Sequence, residues 1–206
     1  MVDAVGPPLI LASGSPFRRK MLQDAGLVFE VEPADVNERE LERMIAASEV
    51  DGDDPKHIAR ELALSKARDV SGRRRGTMVI GCDQVLQVGR ERLSKPATRE
   101  HAKMHLEMLW GKTHALHSAV CIVCDDAIVW RHVSTARLTM RKFSSAFLDA
   151  YLDEMGGRVC QTVGGYEIEG RGIQLFERIE GDHFTIIGLP LLPLLDKLRE
   201  LGMIAS

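Results

Sequence analysis

The stretch "LILASGSPFRRKML", Leu9 to Leu22, reads as a buried strand, a turn of small residues and the start of a helix. Leu9–Ala12 is an unbroken apolar run, as a buried strand requires. Ser15 suits an N-cap and Pro16 the first helical position, so a helix is expected from Pro16 to about Ala25. Arg18, Arg19 and Lys20 then fall in its first turn, where the partial positive charge of aligned peptides disfavours cations. Two readings fit. Either the long side chains swing into solvent, or an anion is expected between them and the free backbone N–H groups of the helix end. Paired guanidinium donors suit a phosphate, and the GxxxxGK[ST] spacing of a Walker A loop is absent.

Outward from this stretch, helices and strands intermingle. "VFEVEPADVNERE" reads as a strand leading into an acidic loop around Asp35 and Glu38. "DDPKHIARELALSKARDV" is a helix with Asp54 as cap and Pro55 at its first position. "GTMVIGCDQVLQVGRERLSKP" reads as a strand, a polar interruption at Asp83–Gln84 and a hairpin near Gly89. A helix over 98–110 stops at Gly111, and strands over 114–124 and 127–140 turn at Asp125–Asp126. Phe147, Leu148, Tyr151, Leu152 and Met155 carry helical spacing up to Gly156–Gly157. The Gly-rich "GGYEIEGRG" leads to "HFTIIG", read as a strand, and Pro190 opens a last Leu-rich helix closed by Gly202. The expected class is α/β with a mixed, bent sheet, and no repeat or low-complexity linker divides residues 1–206 into separate domains.

The 206 residues suit one domain or two small lobes, and a net charge of −3 leaves no bulk field for nucleic acid, so an anion site has to be local. No apolar run reaches bilayer length, and "MVDAVGPPLI" lacks the basic and apolar regions of a signal peptide. With only four cysteines, a cytoplasmic, reduced protein is expected. The CxxC of Cys121 and Cys124 lies in the apolar run "SAVCIVC" and is assigned to strand packing.

Several residues invite chemistry. Asp83 breaks the buried pattern "MVIGCDQVL", and a carboxylate there has to face a cation, a metal or water. Lys95 follows the hairpin and could return towards it as a structural partner. Ile58, Leu62 and Lys66 fall in one i+4 row, so Lys66 either snorkels at the core edge or reaches a pocket. Glu38 is a second candidate metal ligand. Glu167 and Glu169 share a face if their segment is extended. Arg73–Arg75 in "SGRRRG" read as a solvated loop, and His114, His117, His132 and His183 show no metal-ligand spacing.

In this order, "LILASGSPFRRKML", "PADVNERE", "ALSKA", "IGCDQVL", "LSKP", "LWGKTHALHSAV" and "YEIEGRGIQLFERIEGDHFTIIGLPL" resemble the Maf family of nucleoside triphosphate pyrophosphatases, from Leu9 to about Leu191. The resemblance implies hydrolysis of a nucleoside triphosphate to monophosphate and pyrophosphate with Mg²⁺ or Mn²⁺. It implies a two-lobed α/β fold similar to inosine triphosphate pyrophosphatases, with the site in the cleft. The family's acidic catalytic residue falls on Asp83, which with Glu38 would hold metal. Its phosphate-binding residues fall on Ser13, Ser15, Arg18, Arg19, Lys66 and Lys95. The branch acting on dTTP and UTP has Arg, Thr and Gln where this chain has Phe17, Gln84 and Glu169. An aromatic residue, Gln and Glu resemble the 7-methylguanosine triphosphate branch, with Phe17 in place of its frequent Trp and Ser94 where Gly is common. A methylated guanine is cationic, so an aromatic face attracts it and a carboxylate accepts from its N1–H and exocyclic amine.

The alternatives are a dTTP/UTP or broad-specificity pyrophosphatase, and a non-enzymatic nucleotide-binding regulator of septum formation. The expected partner is the nucleotide, with a homodimer as candidate assembly and neither nucleic acid nor membrane.

Overall fold

The computed structural model describes residues 7–47 and 54–205. The first six residues, where part of the leader reading falls, lie outside them. Among the described residues the strands are β1 (Leu9–Leu11), β2 (Glu30–Val31), β3 (Met78–Val88), β4 (Glu91–Leu93), β5 (Thr113–Cys124), β6 (Ala127–Met140) and β7 (Phe176–Glu180). The helices are α1 (Pro16–Asp24), α2 (Glu38–Ala46), α3 (Pro55–Arg73), α4 (Arg99–Leu109), α5 (Ser145–Met155), α6 (His183–Ile187) and α7 (Leu191–Glu200). One mixed sheet has the order β2-β1-β3-β5-β6-β7, with β4 on β3, and does not close into a barrel. β1 runs parallel to β2 and β3, whereas β3–β4 and β6–β7 are antiparallel. No helix among the described residues is long and apolar enough to cross a membrane.

The chain divides into two compact units. The first comprises residues 1–83, 118–134 and 188–206. Its interior holds the β1 run Leu9–Ala12, Met21 and Leu22 of α1, and Ile58, Leu62 and Ala63 of α3. Gly81 fixes how close α3 lies to β3: a Cβ there would stand 2.2 Å from the Ala63 carbonyl oxygen and 2.7 Å from the Ala67 Cβ. Only glycine permits that approach. The second comprises residues 84–117 and 135–187, with a core of Leu86, Leu106, Leu109, Leu116, Leu138, Leu148, Tyr151 and Leu152.

Three expectations change. "HFTIIG" is helix rather than strand, because Asp182 caps it: Oδ2 accepts from the Thr185 N–H and hydroxyl, both at 2.7 Å, and Oδ1 from the Phe184 N–H at 3.3 Å. This side-chain capping overrides the strand preference of a β-branched run. The strand there is "FERIE" instead, paired with β6. β3 also continues unbroken through Asp83 and Gln84. Finally, Arg73 and Arg74 are no solvated loop. Arg73 ends α3 and pairs with Asp69 at 2.7 Å and Glu32 at 3.1 Å, while Arg74 pairs with Glu30 and Glu32.

Candidate active site

In the first unit, the turn after β1 is held by its own side chains. The Ser15 N–H donates to Ser13 Oγ at 3.3 Å, and Ser15 Oγ caps α1 by accepting from the Arg18 N–H at 3.4 Å. Arg18, half-buried, does not swing into solvent. Its Nε donates to the Gly188 carbonyl at 2.8 Å, and its Nη1 to the Cys82 carbonyl at 3.0 Å and Ser13 Oγ at 3.2 Å. Arg19 is exposed, and Phe17 is half-buried.

Cys82 precedes Asp83, so the same bonds reach the candidate catalytic carboxylate. Asp83 is buried, at 6% exposure, yet it is not alone: Lys66 Nζ donates to its Oδ1 at 2.6 Å. Lys66 Nζ also stands 2.8 Å from Glu38 Oε1. The i+4 row that carries Lys66 and the glycine at 81 together explain the contact, since α3 lies tight on β3 where Asp83 leaves it. Burial raises the Asp83 pKa above the ordinary aspartate value, and the charges of Lys66 and Arg18 pull it back.

Glu38 belongs to the first turn of α2 rather than to an acidic loop. Asn37 caps that helix, accepting from the Glu40 N–H at 3.3 Å and donating to Glu40 Oε2 at 3.0 Å. A carboxylate in the first turn is favoured by the helix dipole. Asp83 and Glu38 thus converge on one cationic position. Two carboxylates without further protein ligands fit a hard divalent cation that takes its other oxygens from phosphate and water. Among the described residues, no set of three or more His, Cys, Asp or Glu side chains forms a metal cage.

The remaining candidates lie in the second unit. Lys95 and Glu169 are exposed. Gln84 Nε2 donates to the Thr185 and Ile186 carbonyls, at 3.1 and 3.0 Å, so its amide braces the end of α6. The Glu169 segment is fixed from behind. Tyr151 Oη accepts from the Glu167 N–H at 3.3 Å, and a Cβ at Gly172 would lie 1.7 Å from the Glu167 carbonyl oxygen. Glu167 is itself tied to Arg158 at 3.3 Å, with Oε1 buried and unpartnered. These supports were not legible in sequence, because close approach and a plain tight turn both call for glycine.

The model of the family described as Maf-like protein matches residues 8–201. The chain belongs to that family. Among its relatives, a Mesorhizobium japonicum protein named 7-methyl-GTP pyrophosphatase is 53% identical, the alignment covering 95% of this chain and 97% of the relative. A Rhizobium meliloti protein of the same name is 50% identical over 96% and 98%. A Nitrobacter winogradskyi protein named nucleoside triphosphate pyrophosphatase is 49% identical over 93% of each chain. In this Maf-like chain, then, the residues drawn together around Asp83 come from four separate stretches of sequence: the β1–α1 turn, α2, α3 and the middle of β3.

Proposed function

We propose that the chain hydrolyses nucleoside triphosphates to monophosphate and pyrophosphate, with preference for 7-methylguanosine triphosphate. The observation that carries this reading is the buried Asp83 held by Lys66, beside a helix start that carries Arg18 and Arg19. Lys66 occupies Oδ1, which leaves Oδ2 to hold the attacking water and take its proton. The water oxygen bonds to the α-phosphorus, the α–β bridging P–O bond breaks, and pyrophosphate leaves with the bonding electrons. Burial makes Asp83 a stronger base than a free aspartate, and the charge of Lys66 opposes that rise. Negative charge growing on pyrophosphate is offset by Arg18, Arg19, Lys66, Lys95 and the free N–H groups of α1, with Ser13 and Ser15 holding the turn in shape. Mg²⁺ or Mn²⁺ held by Asp83 and Glu38 would supply Lewis-acid polarisation of the phosphate oxygens.

For the base, Phe17 provides an aromatic face, Glu169 a carboxylate acceptor, and Gln84 the brace behind α6. The relatives named for 7-methyl-GTP support this preference, while the Nitrobacter relative favours a broader second reading. The free cysteines, two of them buried, suit a reducing cytoplasm. The test is pyrophosphate release by purified protein with Mg²⁺ or Mn²⁺ and a panel of triphosphates. Release from 7-methylguanosine triphosphate above all others is expected. Nucleotide binding without release from any triphosphate would leave a regulator that has no need of Asp83.

A further inference from the structure

A guanidinium grips a phosphate along one of two edges, Nε with Nη2 or Nη1 with Nη2. In Arg18 the first edge is spent at Nε, on the Gly188 carbonyl at 2.8 Å. The second is spent at Nη1, on the Cys82 carbonyl at 3.0 Å and Ser13 Oγ at 3.2 Å. Neither edge remains whole. Arg19, next on α1, is exposed, and beyond the bond from its backbone N–H to the Ser15 carbonyl at 3.2 Å its side chain forms no hydrogen bond or ion pair among the described residues. The two neighbours therefore present opposite chemistry, one with both edges of its fork engaged by two carbonyls and a hydroxyl and one with its fork open.

We propose that Arg18 is a positioning residue that fixes the Cys82–Asp83 peptide, and that Arg19 alone of the pair grips the triphosphate. Arg18 ties three places together: the Ser13 hydroxyl in the turn after β1, the Cys82 carbonyl in the middle of β3 and the Gly188 carbonyl ahead of α7. The Cys82 carbonyl belongs to the peptide plane that leads into Asp83, so its orientation sets the direction of the Asp83 side chain. Lys66 then holds the carboxylate from its far end. A lysine at position 18 would keep the charge but could not satisfy three acceptors in separate directions, because a single ammonium lacks the planar fork. Arg18 keeps its electrostatic share in the pyrophosphatase reading on which this proposal rests, but the contact with phosphate passes to its neighbour.

The experiment compares wild type with Arg18→Lys, Arg18→Ala and Arg19→Ala, measuring kcat and KM for 7-methylguanosine triphosphate and the inhibition constant of inorganic tripolyphosphate. Arg18→Lys is expected to lower kcat by about ten-fold or more while the tripolyphosphate constant stays within about three-fold, and Arg19→Ala to raise both KM and that constant by about ten-fold. Guanidinium ion added to Arg18→Ala should restore part of kcat. For wild-type protein, which removes any question of misfolding, the Arg18 Nε–H resonance should stay put during a tripolyphosphate titration while that of Arg19 moves. Undiminished kcat in Arg18→Lys, or an Arg18 resonance that moves as far as that of Arg19, overturns the assignment. Wild type that releases no pyrophosphate and binds no tripolyphosphate fails the function reading instead, and is told apart by that first measurement.

Discussion

Lys66 Nζ lies 2.6 Å from Asp83 Oδ1, and the same ammonium lies 2.8 Å from Glu38 Oε1. A buried carboxylate and a buried ammonium each cost several kcal/mol to desolvate, and pairing offsets that cost without making the pair a net source of stability. Its use is better sought in chemistry. One lysine between two carboxylates stores negative charge where a divalent cation and a triphosphate are to meet.

Asp83→Asn is therefore expected to fold and to lose turnover by about two orders of magnitude or more, since an amide neither accepts the proton of water nor carries ligand charge. The fold survives because Glu38 still compensates Lys66. Pyrophosphate release beside a thermal melt checks this. A collapsed melting temperature would make Asp83 structural.

The acid side of the kcat/KM profile follows from burial. A raised pKa means that Asp83 holds its proton to higher pH than a free aspartate does, so activity is present above that pKa and is lost as pH falls through it. Lys66 opposes the rise, hence Lys66→Gln should move the acid limb to still higher pH. Profiles of both proteins at fixed metal decide the point, and an acid limb that stays put or moves down in Lys66→Gln would remove Lys66 from the tuning of Asp83.

Gly81→Ala tests the link between packing and site. The new Cβ meets the Ala63 carbonyl at 2.2 Å, backbone that can yield only if α3 retreats from β3. Overpacking of this kind costs about 1–3 kcal/mol, and the retreat carries Lys66 away from Asp83. Loss of both melting temperature and kcat is expected. An unchanged kcat would show that the Lys66–Asp83 contact tolerates the shift.

Much of this is legible in the sequence. The strand–turn–helix of Leu9–Leu22, the Asp54 and Pro55 helix start and the Asp125–Asp126 hairpin are local signals, and local signals survive folding; both turn residues have positive φ, at 48° and 67°. Asp83 declared itself by polarity in an apolar run. What sequence hid were partners distant along the chain. The Arg18 acceptors are main-chain carbonyls at 82 and 188, which leave no trace in residue type. The helix at His183–Ile187 depends on Asp182 below it and Gln84 above it, two side chains separated by most of the second unit's sequence. Glu38 entered a helix because Asn37 could cap it, a choice that an acidic stretch does not announce.

The last prediction concerns the base. Glu169 stands exposed on a segment that the Tyr151 hydroxyl and the crowded Gly172 hold in place, so its carboxylate is presented by a rigid support. Guanine offers that carboxylate two donors, N1–H and the exocyclic amine, whereas the matching edge of uracil or thymine carries carbonyls that repel it. Leaving a carboxylate facing carbonyls costs at least about 1–3 kcal/mol, which predicts about ten-fold or greater preference for 7-methylguanosine triphosphate over dTTP and UTP. Glu169→Gln should narrow the gap, because an amide can donate where a carboxylate cannot. Tyr151→Phe should narrow it as well, through loss of the hydroxyl that holds the segment, and without the gain for pyrimidines expected of the glutamine. The measurement is kcat/KM for the three triphosphates on all three proteins. Faster hydrolysis of dTTP or UTP by wild type would refute the preference and leave the broader pyrophosphatase activity standing.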